Sequence, residues 1–270
     1  MKKIYSYCSI GNKNYGTIEG IVLSMKVRNY IKEDGSPGEM LTFGLSCRNV
    51  DEKIKSALSV YPARSSVNSE ISFISCTVFG KKAERMKKFV HEKDLVVLSG
   101  QFSVYADKSN SNPRVTLLVN DAKVTRYNEG QLSKDNSNEY SYCSIGGGNY
   151  GSIEGVVSPI TFKTYTKDDG TQSEMMTFSL SCNNVDEKIN AALGSYPAKS
   201  SVKKETSFIN CAVFGKKCER IRKFVHEKDT VILSGQFSTF TPENGGKTGI
   251  SLTVDNAKVL KFANNPTEIK

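Results

Sequence analysis

Ile71-Ser72-Phe73-Ile74-Ser75-Cys76-Thr77-Val78-Phe79 alternates with a period of two, and the alternation sorts its side chains into two unlike sets. Ile74, Cys76 and Val78, begun by Ser72, form an aliphatic face that belongs in a core. Ile71, Phe73, Ser75, Thr77 and Phe79 form the other, on which small polar residues lie between two rings. An exposed strand face with spaced rings is what base stacking requires. Rings packed under a loop or at a subunit interface are the alternative. The stretch returns as Thr206–Phe214, with Ile209, Cys211 and Val213 on one face and Thr206, Phe208, Asn210, Ala212 and Phe214 on the other. Both copies keep both rings.

The recurrence extends well beyond this strand. Aligning 5–127 with 140–262 gives about 70 identities in 123 positions, the mark of an internal duplication. A unit of this length is a whole domain with its own core. The expected organisation is a first domain over 1–127, a polar linker over 128–139, a second domain over 140–262 and a short tail over 263–270.

Outward from the quoted strand, the remaining elements also read mostly as strands. Ile18 and Val22, flanked by Gly16 and Gly20, suggest a first strand with close backbone approach or a bulge. Glu33-Asp34-Gly35 and Asp168-Asp169-Gly170 are turn signals. Leu41, Phe43, Leu45 and Cys47 alternate with polar or small residues in a second strand, and a short helix capped by Asp51 follows over 50–58. After the quoted strand, 81–89 has helical spacing, with Met86, Phe89 and Val90 apolar and its five cations on a solvated face. A fourth strand covers 95–105, ending in Tyr105 or Phe240, and Val115, Leu117 and Val119 give a fifth. The fold class is therefore all-β with a few short helices. Five strands with a helix between the third and fourth describe an OB-fold, here two Greek-key barrels in tandem.

Composition bounds the function. No apolar run approaches a membrane span, and Tyr5, Ser6 and Ser9 interrupt any signal-peptide core, so a cytoplasmic protein is expected. Seven cysteines without a Cys-x-x-Cys pair, and only two histidines, point to buried thiols in a reducing compartment rather than a zinc site. No catalytic set, phosphate loop or cofactor motif recurs, and His91 and His226 beside Glu92 and Glu227 read as surface residues, so no enzyme and no cofactor are expected. The net charge is +9: residues 1–135 hold 21 Lys/Arg against 14 Asp/Glu, and residues 136–270 hold 16 against 14. Such a balance favours a polyanionic partner.

Phe73-Ile74-Ser75-Cys76-Thr77-Val78-Phe79-Gly80-Lys81-Lys82-Ala83-Glu84, followed by Leu98-Ser99-Gly100-Gln101, resembles the bacterial single-stranded DNA-binding proteins. The resemblance covers the barrel of both copies. It implies that Phe73, Phe79, Phe208 and Phe214 stack on bases. The chain departs from the family in having no tryptophan, and where the family has one after Gly-Gln this sequence has Asp107 and Pro242. Tyr105 and Phe240, two residues earlier, are the substitutes. The segment 50–70 is longer than the family norm. The family's acidic recruiting tail has no counterpart in Asn264–Lys270, and a bacteriophage or mobile-element origin is one explanation.

The expected function is sequence-independent binding and protection of single-stranded DNA in replication, recombination or repair, with RNA as the other possible strand. Lys26, Arg28, Lys32, Arg48, Arg64 and Arg114 are the phosphate-binding candidates in copy one, and Lys163, Lys167 and Lys199 in copy two. Copy one, richer in cations, is expected to bind more tightly. The copies diverge most at 23–31 against 158–166 and at 104–116 against 239–251, the hairpins that border an OB-fold groove. A homodimer with four barrels is expected, with a monomer as the alternative because linked domains already supply avidity. The rival functions are a tandem barrel serving as an assembly module of a replication or recombination complex, and oligosaccharide binding.

Overall fold

The computed structural model describes residues 4–58, 70–105, 114–128, 140–194, 206–241 and 249–263. The chain divides into two units, Met1–Asp135 and Asn136–Lys270. The division falls inside the expected linker, of which residues 129–139 lie outside the described residues, as do 264–270 of the expected tail.

The first unit runs β1 (Cys8–Ile10), β2 (Tyr15–Ile31), β3 (Pro37–Arg48), α1 (Asp51–Leu58), β4 (Ile71–Phe79), α2 (Lys81–Met86), β5 (Leu95–Tyr105) and β6 (Arg114–Arg126). The strands lie in the order β1-β2-β3-β4-β6-β5, and β5 returns to β2 to close the barrel. All pairings are antiparallel except β4 with β6. With α2 between the third and fourth barrel strands, this is the OB-fold connectivity. One strand exceeds the five read from the sequence. β1 pairs with β2 as far as Ile18, and β3 takes over the same strand from Ile21.

The second unit repeats the plan with β7 (Cys143–Gly146), β8 (Tyr150–Val157), β9 (Thr161–Thr166), β10 (Gln172–Asn183), α3 (Asp186–Leu193), β11 (Thr206–Phe214), α4 (Gly215–Ile221), β12 (Thr230–Phe240) and β13 (Gly249–Lys261). Its extra strand has a local cause. In copy one β2 is continuous over 17 residues through a bulge between Leu23 and Lys26, where Ser24 takes a positive φ of 43°. Copy two has Pro159 at that position. Proline supplies no N–H and cannot adopt that φ, so the strand breaks into β8 and β9. The bulge thus lies further along the strand than Gly16 and Gly20 suggested. Those glycines serve close approach: a Cβ on Gly16 would strike the Ser9 carbonyl, and one on Gly20 would lie 2.6 Å from Leu45.

Inward side chains of every barrel strand meet in one cluster that includes Ile18, Leu41, Leu45, Ile74, Cys76, Val78, Leu98, Phe102 and Leu117. The helices are shorter than the periodicity implied. α2 ends at Met86, and Phe89 and Val90 pack from the following turns. Asp51 is not a helix cap. Its carboxylate accepts the Ser72 hydroxyl, as Asp186 accepts that of Ser207. In α3 the cap position is held by Val185, whose side chain cannot bond the helix end.

The repeated Phe-Val-His-Glu-Lys-Asp finds its explanation in the same bulge. Lys93 donates its N–H to the Val22 carbonyl at 2.8 Å, Val22 donates to Asp94 at 3.0 Å, and the Met25 N–H is taken by Glu92 Oε1 at 2.7 Å. Buried Asp94 accepts the N–H groups of His91 and Asn128, each at 2.9 Å, which ties the end of the last strand to the same turn. Copy two reproduces the set with Lys228, Val157, Ile160, Glu227, Asp229, His226 and Ala263. Both imidazole rings stay at the surface. A buried carboxylate is tolerable only when donors replace its water, as here.

Two outcomes follow from this packing. Gly100 and Gly235 sit at bulges where a Cβ would land on the carbonyl oxygens of Leu118 and Thr253, so backbone must move. Gly100→Ala and Gly235→Ala are each expected to destabilise their own barrel by about 3 kcal/mol, read as an earlier midpoint in chemical denaturation. All seven thiols are buried. Burial pushes Cys8 up to about 12 from an ordinary 9.0, with Lys53 opposing, and pushes Cys47, Cys76, Cys182 and Cys211 in the same direction. Because the unfolded chain ionises first, stability holds below pH 9 and declines as pH rises above it. Ellman's reagent at pH 8 is expected to leave the native protein unlabelled and to titrate all seven thiols in guanidinium. Fast labelling of the native protein would contradict the buried assignment.

Candidate nucleic-acid interface

Closure of each barrel commits the aliphatic side of β4 and β11 to the core, so Phe73, Phe79, Phe208 and Phe214 must point outward. They do: Phe73 is 69% exposed and Phe208 67%. Register assembles their neighbours. Phe79 pairs with Met40, which pairs with Arg28, and in copy two Phe214 pairs with Met175 and then Lys163. Phe73 lies opposite Ser46 and Phe208 opposite Ser181. Between the ring rows the surface is made mostly of small polar side chains, with the exposed Leu118 opposite Thr77 in copy one. Thr42 pairs with Thr77, Ser75 with Thr116, and the Ser103 and Thr116 hydroxyls bond at 2.7 Å. Copy two has Thr177, Asn210 and Ser251, with Ser238 and Ser251 bonded at 2.7 Å. The result is a shallow polar floor with rings standing at its margins.

A third exposed ring closes β5 and β12. Tyr105 pairs with Arg114, which places ring and cation together, while Phe240 pairs with Gly249, whose missing side chain leaves room for the phenyl ring. The sequence reading missed a fourth ring in each copy. Tyr30 meets Phe79 edge-on, with centroids 5.3 Å apart and planes at 80°, and Tyr165 meets Phe214 at 5.5 Å and 85°. Gly38, opposite Tyr30, has no side chain to obstruct its ring. Edge-to-face contacts of this kind contribute about 0.5–1.5 kcal/mol. The signal available in sequence was the retention of tyrosine at the same place in an otherwise divergent hairpin.

The cations divide into two groups. Two per copy, on the helix and the turn after it, are ion-paired: Arg85 with Asp121 at 3.3 Å, Lys87 with Glu39 at 2.7 Å, Lys217 with Asp255, and Arg222 with Glu174 at 2.7 Å. Lys26, Arg28, Arg48 and Arg114 are exposed, and none has an ion-pair partner among the described residues. Lys26 shares the row of Thr42 and Thr77, and Arg48 ends β3 opposite Ile71. Lys32 and Lys167 stand at the hairpin turns. In copy two, Thr161, Asn183 and Gly249 replace Lys26, Arg48 and Arg114, and Lys163 replaces Arg28. Arg64 and Lys199 lie outside the described residues. Chemically, the face offers flat rings for planar ligands and free positive charge for anions.

No family model matches this chain, and no curated protein matches it. Among solved structures it is similar to the single-stranded DNA binding protein from Thermus aquaticus, covering 99% of this chain and 98% of that one at 9% identity and a TM-score of 0.28. The mitochondrial single-stranded DNA-binding protein Rim1 from S. cerevisiae matches 42% of this chain and 94% of its own, at 17% identity and a TM-score of 0.27. The small single-stranded DNA-binding protein from Streptomyces coelicolor matches 46% and 95%, at 13% identity and a TM-score of 0.27. At these scores the likeness carries no argument, and the barrel assignment stands on strand order and register.

Proposed function

We propose that the chain binds single-stranded DNA without regard to sequence, each barrel laying a strand across its ring-bearing face. One observation carries the reading: the two copies keep exposed rings at the same register positions, beside exposed cations that are unpaired among the described residues. Exposed apolar groups that recur together on one face mark an interaction surface. Bases have the flat apolar faces that fit them, and phosphates have the charge that fits Arg28, Arg48, Arg114 and Lys163. Duplex DNA hides its base faces in the stack, so the same surface discriminates against it. Protection of exposed strands in replication, recombination or repair is the role this binding would serve. A role as a tandem assembly module is the competing outcome, in which the rings contact protein.

The affinity divides into two terms that respond to different perturbations. Stacking is worth roughly 1–3 kcal/mol per base, so three outer rings per barrel supply several kcal/mol. For about five phosphates contacted, the single-strand slope of about −0.7 per phosphate predicts a loss of about a hundredfold over a fourfold rise in salt. Fluorescence anisotropy with labelled dT oligomers at two salt concentrations tests both. Salt-sensitive binding to dT but not to duplex is expected, weakened at least about tenfold in Phe73→Ala/Phe208→Ala. A folded protein that ignores dT at low salt would end this reading in favour of the assembly module.

The unequal cations make a separate expectation. Arg28→Ala/Arg48→Ala/Arg114→Ala is expected to flatten the salt dependence of dT binding by about two units of slope. Lys163→Ala in copy two is expected to change it by less than one. Equal effects would mean that the two barrels share the phosphate contacts evenly.

A further inference from the structure

Beyond the rings on the barrel strands, each copy exposes an aromatic that no strand carries. Tyr5 is 61% exposed and Tyr140 is 67% exposed, and they occupy equivalent places in the two copies. Neither is adrift. Ser6 donates its N–H to the Arg48 carbonyl at 2.9 Å, while the Arg48 N–H is taken by Ser6 Oγ at 3.0 Å. Asn49 Nδ2 holds the Ile4 carbonyl at 2.6 Å. Copy two repeats the reciprocal pair, Ser141 to Asn183 at 2.9 Å and Asn183 to Ser141 Oγ at 3.0 Å. The residues that follow, Tyr7 and Cys8, are buried, as are Tyr142 and Cys143. The segment is thus fixed at both ends while its first ring stays in solvent.

Its position relative to the ring-bearing face follows from the register. Arg48 lies opposite Ile71 on one edge of β3, and Ser6 occupies the other edge at the same residue. Phe73, opposite Ser46, is two residues further along. At a strand spacing of about 4.8 Å and a rise of about 3.3 Å per residue, the Ser6 backbone stands roughly 12 Å from that of Phe73, and Tyr5 is the residue before it. Tyr5 is therefore a position separate from Phe73. The exposed Arg48 lies between the two.

We propose that Tyr5 and Tyr140 are additional base-stacking platforms that lengthen the strand-binding track of each barrel past Phe73 and Phe208. The proposal rests on the single-stranded DNA reading given above. A ring retained in both copies, bonded into place through its neighbours and left in water, in copy one beside the exposed Arg48, has the exposure that the other ring positions have. A purely structural tyrosine would bury its ring, as Tyr7 and Tyr15 do.

The test compares the full-length protein with Tyr5→Ala/Tyr140→Ala, Tyr5→Phe/Tyr140→Phe and Phe73→Ala/Phe208→Ala, using labelled dT oligomers of increasing length. The alanine pair is expected to weaken binding of long oligomers by about tenfold, to leave the salt slope unchanged and to spare the shortest ones. The phenylalanine pair is expected to bind as wild type. Photocrosslinking of 5-iodouracil-substituted oligomers to wild-type protein is expected to label Tyr5 and Tyr140. Full affinity in the alanine pair, with loss in the Phe73/Phe208 pair and no crosslink to either tyrosine, would overturn the extension and leave the binding reading intact. No binding by wild type would overturn both.

Discussion

Cys76 is held between β3 and β6 with Phe43 and Leu117 as its register partners, and all three are buried in the barrel core. A barrel of this size is filled by one inward residue from every second position of each strand. Once Ile74, Cys76 and Val78 are committed to that interior, period two leaves Phe73, Ser75, Thr77 and Phe79 no choice but the outside. A slip of one residue would bury two phenylalanines among small polar residues and expose the aliphatic set. The outer face and the core are therefore one specification. The duplication bears this out: inward Ile74, Cys76 and Val78 return as Ile209, Cys211 and Val213, and of the outward residues Phe73 and Phe79 return unchanged while Ile71, Ser75 and Thr77 become Thr206, Asn210 and Ala212.

What holds the barrel in this register is polar as well as apolar. The turn after α2 supplies carbonyl and carboxylate acceptors to the bulge in β2 and to the end of β6. Opening that turn would strand backbone N–H groups and a buried carboxylate together, each costly without a partner. This accounts for a charged hexapeptide being kept intact in both copies. Copy two shows how specific the device is, because Ile160 still finds Glu227 although Pro159 has broken the strand beside it.

The alternation of 71–79, the five barrel strands, the turn at Gly35 and the exposure of the six outer rings were legible in the sequence, because each depends on a period or on a residue with one dominant conformational use. The features that were not legible depend on what lies across a strand or through space. β1 has only three residues and exists because β3 leaves part of β2 unpaired. Tyr30 was unremarkable until register placed it against Phe79 and gave it Gly38 as a neighbour. Asp51 reads as a helix cap locally and serves Ser72 instead, a contact that sequence separation hides. Charge was misleading in the same way: in the densest run of cations, on α2 and its following turn, Arg85 and Lys87 are ion-paired, whereas Lys26, Arg28, Arg48 and Arg114, which have no ion-pair partner among the described residues, are scattered over three strands.

The asymmetry between the copies bears on how two barrels in one chain would share a ligand. Exposed rings have been kept nearly constant between the copies, whereas exposed cations on the same face are more numerous in copy one. Electrostatic attraction acts over about 8–10 Å at physiological salt and rings act only on contact. A strand would then be captured first by copy one and seated on copy two afterwards, at the high effective concentration that a tether provides. Under that division of labour, losing rings from copy two would shorten the time a bound strand stays without much changing how fast it arrives. Losing cations from copy one would slow arrival itself. Two barrels with identical faces would have no such order, which is a physical reason for a duplication to keep its rings and let its charges drift apart.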